Sequence, residues 1–187
     1  MRKIVTALVS LFWIVNANAE PPSNSIFWLN SVWVRHDGEK IKLKDLGASP
    51  TIISMVFLGC KYSCPLTIQD MREIDQKLQK TAATPYKMIL ISIDPERDTP
   101  AAMRKFMKER KLDSARWILI SSSPKNVREL AAALGYNYKK DEAMDFAHSM
   151  LTWIFDKNGV KQFTREARKQ SVDETVAAFK KIRDSTP

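Results

Sequence analysis

A nearly continuous run of apolar and β-branched residues at 51–58 is followed directly by two cysteines. A run of this length and composition indicates a central strand that is buried on both faces. Pro65 comes next, at a position preferred in the first turn of a helix, and apolar residues then recur at helical spacing. A second buried-strand pattern covers residues 86–93. These elements predict a βαβ unit with Cys60 and Cys64 at its first turn.

The rest of the chain adds strands and helices to this unit. Strand patterns are predicted at residues 26–29, 32–35, 40–43, 116–120, 149–155 and 160–163, and helices are predicted to begin at Thr99-Pro100, Ser123-Pro124 and Ser171. Asn158-Gly159 lies between the last two strands and is typical of a hairpin turn. The order of elements predicts one α/β domain, a thioredoxin-like fold with extra N-terminal strands and a β-hairpin insertion.

The first nineteen residues have the organisation of a cleaved signal peptide. Arg2 and Lys3 precede an apolar run at residues 4–15, and Ala-Asn-Ala at 17–19 supplies the small-residue cleavage pattern. The run is shorter than the roughly 20 residues of a membrane-spanning helix, although a retained anchor is the alternative. The predicted mature protein is residues 20–187, in an exported compartment such as a bacterial periplasm.

The predicted mature chain is basic. The full sequence has 30 lysines and arginines against 21 acidic residues, and removal of Arg2 and Lys3 leaves a net charge of 28 − 21 = +7. This charge favours acidic protein partners or peripheral contact with a membrane surface that carries anionic lipid. Export and the lack of an aromatic-basic stripe argue against nucleic acid as a partner. Most of the cationic side chains are expected on solvated faces.

Cys60 and Cys64 are the only cysteines in the chain. In an oxidising compartment such a pair forms a disulfide or a metal site, and a bridge across so short a loop would stabilise the fold little. At a helix start, exposed N–H groups and the helix dipole lower the pKa of a thiol. A thiolate is both a nucleophile and a ligand for soft metals. Three residues separate the cysteines, where thioredoxin-type oxidoreductases have two, and this spacing is compatible with either chemistry.

Two histidines differ in their predicted roles. His36 lies in a polar turn and is expected to be exposed and without function. His148 precedes the predicted strand at 149–155, the part of a thioredoxin-like fold that faces the cysteine loop. Two thiolates and an imidazole suit copper, because sulfur favours Cu(I) and nitrogen helps to hold Cu(II). Zinc would take the same ligands, although a structural zinc site uses four. The alternative for His148 is a strand-edge residue that is hydrogen-bonded to backbone and binds no metal.

Three segments are similar to the Sco/SenC family. They are Phe57-Leu58-Gly59-Cys60-Lys61-Tyr62-Ser63-Cys64-Pro65, Ser92-Ile93-Asp94-Pro95-Glu96-Arg97-Asp98-Thr99-Pro100 and His148-Ser149. The resemblance implies a thioredoxin-like fold in which Cys60, Cys64 and His148 bind copper and residues 94–99 form a conformation-setting loop near them. It also implies a role in assembling the copper centre of cytochrome c oxidase, by copper delivery, by reduction of the target's cysteines, or by both. The implied partner is the oxidase copper-site subunit or another copper or thiol protein.

The chain departs from this family pattern in two places. Lys61-Tyr62-Ser63 stands where the family often has Pro-Asp-Val, and a cation there favours thiolates but opposes a bound metal cation. Ala147 stands where the family often has an aspartate, and the nearest acid is Asp145, three residues before His148. A carboxylate beside a ligand histidine commonly orients its ring. Both departures add weight to thiol–disulfide chemistry.

Three functions follow from these residues. A copper metallochaperone requires Cys60, Cys64 and His148 together, whereas exchange by a thiol–disulfide oxidoreductase would survive His148→Ala. A peroxidase-like thiol enzyme needs further groups around one cysteine, and the sequence offers none. Met144 and Met150 flank His148 and are either additional thioether ligands of Cu(I) or ordinary loop and strand residues.

Overall fold

The computed structural model of the protein describes residues 20–47, 49–60, 63–81, 85–140, 146–167 and 169–184, and only the backbone of Ser63, Ala147 and His148. The strands are β1 Val32–Arg35, β2 Lys40–Lys42, β3 Thr51–Val56, β4 Lys87–Ser92, β5 Trp117–Ser121, β6 Tyr138–Lys140, β7 Phe146–His148, β8 Leu151–Phe155 and β9 Lys161–Glu166. The helices are α1 Ser63–Thr81, α2 Pro100–Glu109, α3 Pro124–Leu134 and α4 Val172–Asp184, with 3-10 helices at Ile26–Trp28 and Leu43–Leu46. The predicted signal peptide, residues 1–19, lies outside the described residues.

Seven of the described strands form one mixed sheet in the order β2-β1-β5-β4-β3-β8-β9. Its centre, β5-β4-β3, is parallel, while β1 and β8 flank it in antiparallel orientation. The prediction of an α/β fold with extra N-terminal strands is confirmed, and those strands are the β1–β2 edge. Because β3 and β4 are parallel, their carboxyl ends lie at one edge of the sheet, where the cysteine loop and residues 93–99 follow them.

Side chains at the helix ends fix where α2, α3 and α4 begin. Thr99 and Ser123 cap α2 and α3, because their hydroxyl oxygens accept from backbone N–H groups three residues on. Ser171 and Glu174 form a capping box at 3.2 and 2.9 Å before α4. Gly135 ends α3 in the left-handed conformation, with φ +70°. These predicted boundaries are confirmed.

Two predicted boundaries differ in the structure. Residues 26–28 form a 3-10 helix in place of a strand, because the Ser25 hydroxyl accepts from the Phe27 N–H at 3.1 Å. Helix α1 begins at Ser63, two residues before the predicted start at Pro65. Proline is tolerated anywhere in the first turn, since the N–H groups there have no partner within the helix.

The predicted turn at Asn158-Gly159 is confirmed as the connection between β8 and β9. Gly159 has φ +72°, and a Cβ atom there would lie 2.7 Å from the ring of Phe27. A second hairpin, β6–β7, forms a separate two-stranded sheet that the sequence did not predict. It lies between α3 and β8, and β8 accordingly begins at Leu151 rather than at residue 149.

The prediction that His36 is exposed is wrong. His36 is 7% exposed, because the turn after β1 folds against β5. The His36 N–H donates to the Leu119 carbonyl at 2.8 Å, and the Leu119 N–H donates to Nδ1 at 3.3 Å. Arg104 on α2 donates to the His36 carbonyl at 3.1 Å. Burial lowers the pKa of His36, Asp37 opposes this shift, and Arg35 and Arg104 reinforce it.

This environment predicts a loss of stability in mild acid. The unfolded state takes up a proton on His36 near its usual pKa of 6.5, whereas the folded state does so at lower pH. The contribution of His36 is therefore complete above pH 6.5 and is lost as the pH falls below it. We expect the urea midpoint to fall more between pH 7.5 and 5.5 for the wild type than for His36→Gln. Parallel pH profiles for the two proteins would show that His36 is not the responsible group.

Candidate metal centre

The cysteine loop continues directly from the buried strand β3. Phe57 is 2% exposed, and its carbonyl accepts from the Cys60 N–H at 3.3 Å, which turns the chain at Gly59. The Cys64 N–H in the first turn of α1 donates to Cys60 Sγ at 3.2 Å. One helix-start N–H is thus directed at a cysteine sulfur, as an anionic thiolate requires. Lys61 and Tyr62 lie outside the described residues.

The two cysteines differ in accessibility. Both are present as thiols; Cys60 is half-buried, whereas Cys64 is 2% exposed. Burial raises the pKa of Cys64 well above its usual range, a hydrogen bond from the Phe57 backbone opposes the shift, and Cys60 and Asp98 add to it. The prediction that the helix start lowers the thiol pKa is therefore wrong for Cys64, where desolvation dominates. A soft metal that replaces the proton would remove this penalty, because metal binding couples to thiol deprotonation.

The hairpin β6–β7 carries His148 at its end, and its backbone pairs Tyr138 with His148. The hairpin packs beside the cysteine loop, because the Phe146 ring centroid lies 4.9 Å from that of Phe57. Tyr136, just before β6, donates its hydroxyl to the Met55 carbonyl at 3.3 Å near the end of β3. The structure therefore brings the strand that ends in His148 to the same edge as the cysteines.

The candidate ligands fall only partly within the described residues. The side chain of His148 lies outside them, and within the described side chains no group of three or more His, Cys, Asp and Glu converges on a metal position. Met144 and Asp145 also lie outside them, while Met150 is half-buried in the connection between β7 and β8. The donor set within reach of this edge, two thiols and a strand that carries an imidazole, fits a soft metal ion.

Residues 94–99 form a tight loop that is bonded to the cysteine loop. Asp98 is 3% exposed, and its Oδ2 accepts from the Leu58 N–H at 3.2 Å and from the Ser92 hydroxyl at 2.7 Å. The Asp98 N–H donates to the Asp94 carbonyl at 2.9 Å, and the Asp94 carboxylate pairs with Arg97. The sequence placed this loop near the cysteines only through the family resemblance. The residue that makes the link, Asp98, was not identified.

Removal of the Asp98 charge is expected to stabilise the protein at neutral pH. Burial raises the pKa of Asp98 from 3.8 to about 6, against the hydrogen bonds from Ser92 and Leu58. The stability tied to this group is thus complete below pH 3.8 and is lost as the pH rises through about 6. Asp98→Asn keeps an acceptor for both donors, so we expect a gain of ~1–2 kcal/mol in unfolding free energy at pH 7.5. Urea unfolding should show that the gain disappears at pH 4, and an equal gain at both values would contradict desolvation of the carboxylate as its cause.

The family model described as SCO1/SenC matches residues 30–184. The chain belongs to the SCO1/SenC family. It is 26% identical over 150 residues to the mitochondrial SCO1 homolog of Homo sapiens, covering 76% of this chain and 49% of that protein. The chain spans about a third to a half of the length of the curated relatives it matches first.

Solved Sco structures share the fold of this SCO1/SenC chain. Arabidopsis thaliana ScoI with copper bound superposes with a TM-score of 0.73 at 23% identity, covering 82% of this chain and 96% of that one. BsSco, a member of the Sco family of cytochrome c oxidase assembly proteins in which a disulfide switch was identified, gives 0.73 at 20% identity, covering 83% and 92%. The predicted thioredoxin-like class is confirmed by these neighbours. No helix in the described part of this family member is long and apolar enough to cross a membrane.

Proposed function

We propose that this protein is an exported copper-binding protein that delivers copper during assembly of the cytochrome c oxidase copper centre. Residues 1–19 are its cleaved signal peptide, residues 20–187 are its single Sco domain, and the periplasm is its compartment. Cys60, Cys64 and His148 are the proposed copper ligands. The observation that carries this proposal is the contact at 3.2 Å between the Cys64 N–H and Cys60 Sγ, at the edge that also holds the β7 strand.

Three further observations support copper as the cargo. Thiolates select Cu(I), and an imidazole extends the same site to Cu(II). The tilted contact between the rings of Phe57 and Phe146 joins the loop that carries Cys60 to the hairpin that carries His148. Sco relatives from Arabidopsis thaliana and Bradyrhizobium japonicum have been solved with copper bound. The proposed target is the oxidase copper-site subunit, with another copper or thiol protein as the alternative.

A second function, thiol–disulfide exchange, is favoured by the unequal burial of the two cysteines. The accessible Cys60 thiolate would attack a target disulfide, form a mixed disulfide and release one target thiolate. Cys64 would then lose its proton to solvent and attack the Cys60 sulfur, releasing the second target thiolate. The pair is oxidised to a disulfide and the target is reduced by the same two electrons. Metal transfer and this reaction use the same accessible face of Cys60.

The two functions are separated by an anaerobic copper titration of the reduced protein and of a Cys60→Ser, Cys64→Ser double variant. We expect one copper per wild-type chain, with thiolate charge-transfer absorption, and no such site in the variant. A disulfide-exchange assay on a small aromatic disulfide runs beside it. Exchange activity together with weak copper binding would contradict the chaperone function and support the oxidoreductase function.

A further inference from the structure

A groove of about 270 Å³ lies beside the hairpin β6–β7, where the loop after β4 meets the start of α3. Ile93 and Asp94 form its floor, and its walls are Pro95, Pro124, Tyr138 and Phe146. Small-molecule sites usually occupy about 300–1,000 Å³, so this groove lies just below that range and has room for one large side chain. Aromatic and proline walls of this kind suit an aromatic or long aliphatic anchor.

Among the residues that the structure describes, the rim of the groove carries more positive than negative charge. Arg128 is exposed on α3 and forms no ion pair with any residue that the structure describes. Lys140 pairs with Glu96 at 3.2 Å and lies 5.9 Å from the centre of the Phe146 ring. The buried Asp94 carboxylate on the floor is already paired with Arg97. Arg128 is therefore available to pair with a carboxylate of a bound ligand. Lys140 can contact such a carboxylate while it remains paired with Glu96.

The groove is connected to the candidate metal centre through its aromatic wall. Phe146 lies 6.0 Å from Tyr138 within the hairpin and 4.9 Å from Phe57 outside it. Phe57 precedes Cys60 by three residues, and Tyr138 pairs with His148 across the hairpin. A segment bound in the groove would thus lie next to the cysteine loop and to the strand β7, which ends in His148.

We propose that this groove docks an acidic segment of the protein that receives copper or electrons from the cysteines. One aromatic or long aliphatic side chain of that segment packs in the groove against Tyr138 and Phe146, and its carboxylates lie beside Arg128 and Lys140. Apolar anchors supply most of the affinity at such sites, while the charges set partner choice and association rate. That the segment belongs to the target of the cysteine site rests on the proposed function.

A matched pair of charge reversals tests the docking site. Alternate residues of a strand point to opposite faces, so Lys139 does not share the face of Tyr138 and Lys140, and it does not line the groove. Arg128→Glu and Lys139→Glu change the net charge equally. The probe is a five-residue acidic peptide with a central tryptophan, titrated into isotope-labelled protein and followed by amide chemical shifts.

We expect saturable binding with shifts at Tyr138 and Phe146, a dissociation constant raised at least fivefold by Arg128→Glu, and less than a twofold change for Lys139→Glu. The same peptide with a central alanine should bind at least fivefold more weakly. Equal weakening by both reversals, or no binding to the wild type, would overturn the proposal. Binding of phosphatidylglycerol vesicles through Arg128 in place of the peptide would assign the surface to lipid and overturn it as well.

These experiments distinguish a failure of the docking proposal from a failure of the proposed function. Peptide binding is measured again on the Cys60→Ser, Cys64→Ser double variant, which holds no thiol site. Retained binding there supports the groove independently of copper. If the wild type binds the peptide but not copper, the groove proposal holds and its assignment to a copper target is overturned.

Discussion

Replacement of Cys64 by serine is expected to weaken Cu(I) binding by at least a hundredfold and to abolish disulfide formation with Cys60. A hydroxyl is a poor ligand for a soft metal and does not form a disulfide. The Cys64 side chain is 2% exposed and similar in size to serine, so the fold should remain. The measurement is competition for Cu(I) with a chromophoric chelator under anaerobic conditions.

Leu66→Ser is the matched control for this prediction. Leu66 lies in the same part of α1 and is 46% exposed, so the same substituent there leaves both sulfurs in place. Its copper affinity should stay within twofold of the wild type. Copper affinity retained in Cys64→Ser would remove Cys64 from the proposed ligand set.

The largest loss of stability is expected for Asp75→Ala. Asp75 lies on α1 beside the start of β5, at the end of the parallel strands opposite the cysteine loop. Asp75 is 5% exposed and accepts from the Tyr86 hydroxyl at 2.7 Å, from Trp117 Nε1 at 3.0 Å and from Arg116 Nε at 3.2 Å. The substitution removes the acceptor of the buried Trp117 N–H, the shorter of two acceptors of the Tyr86 hydroxyl and one of the two carboxylates paired with Arg116, which costs ~3–5 kcal/mol. Urea unfolding measures the loss.

Asp113→Ala provides the control, because Asp113 also pairs with Arg116 but is exposed. Its loss should stay below ~1 kcal/mol, as for other exposed ion pairs. The copper affinity of the folded protein should be the same in both variants, since Asp75 lies about three turns along α1 from Cys64. Equal losses for Asp75→Ala and Asp113→Ala would contradict the stabilising role of the buried network.

Much of the fold was predictable because burial and capping leave strong local patterns. The continuous apolar runs of β3, β4 and β5 and the capping residues of α2, α3 and α4 each identified their elements correctly. The hairpin β6–β7 was missed because each strand has three residues, too few to show an alternation. His36 was misplaced because its burial depends on β5, which lies more than eighty residues away in the chain.

The sequence predicted which residues form the candidate site but not the burial and hydrogen bonds around them. The spacing of Cys60 and Cys64 before a helix indicated thiol or metal chemistry, and the family resemblance added His148. The raised pKa of Cys64 depends on how deeply α1 buries its first turn, which no local pattern reports. The link from Asp98 to Leu58 joins two loops forty residues apart and follows only from the parallel pairing of β3 with β4.

X-ray absorption at the copper edge tests the proposed ligand set most directly, with the copper-loaded wild type compared with His148→Ala. We predict two sulfur scatterers in both proteins and an imidazole signal that is present in the wild type and absent from the variant. Identical spectra would exclude His148 as a ligand. Fewer than two sulfur scatterers in the wild type would contradict a site built on Cys60 and Cys64.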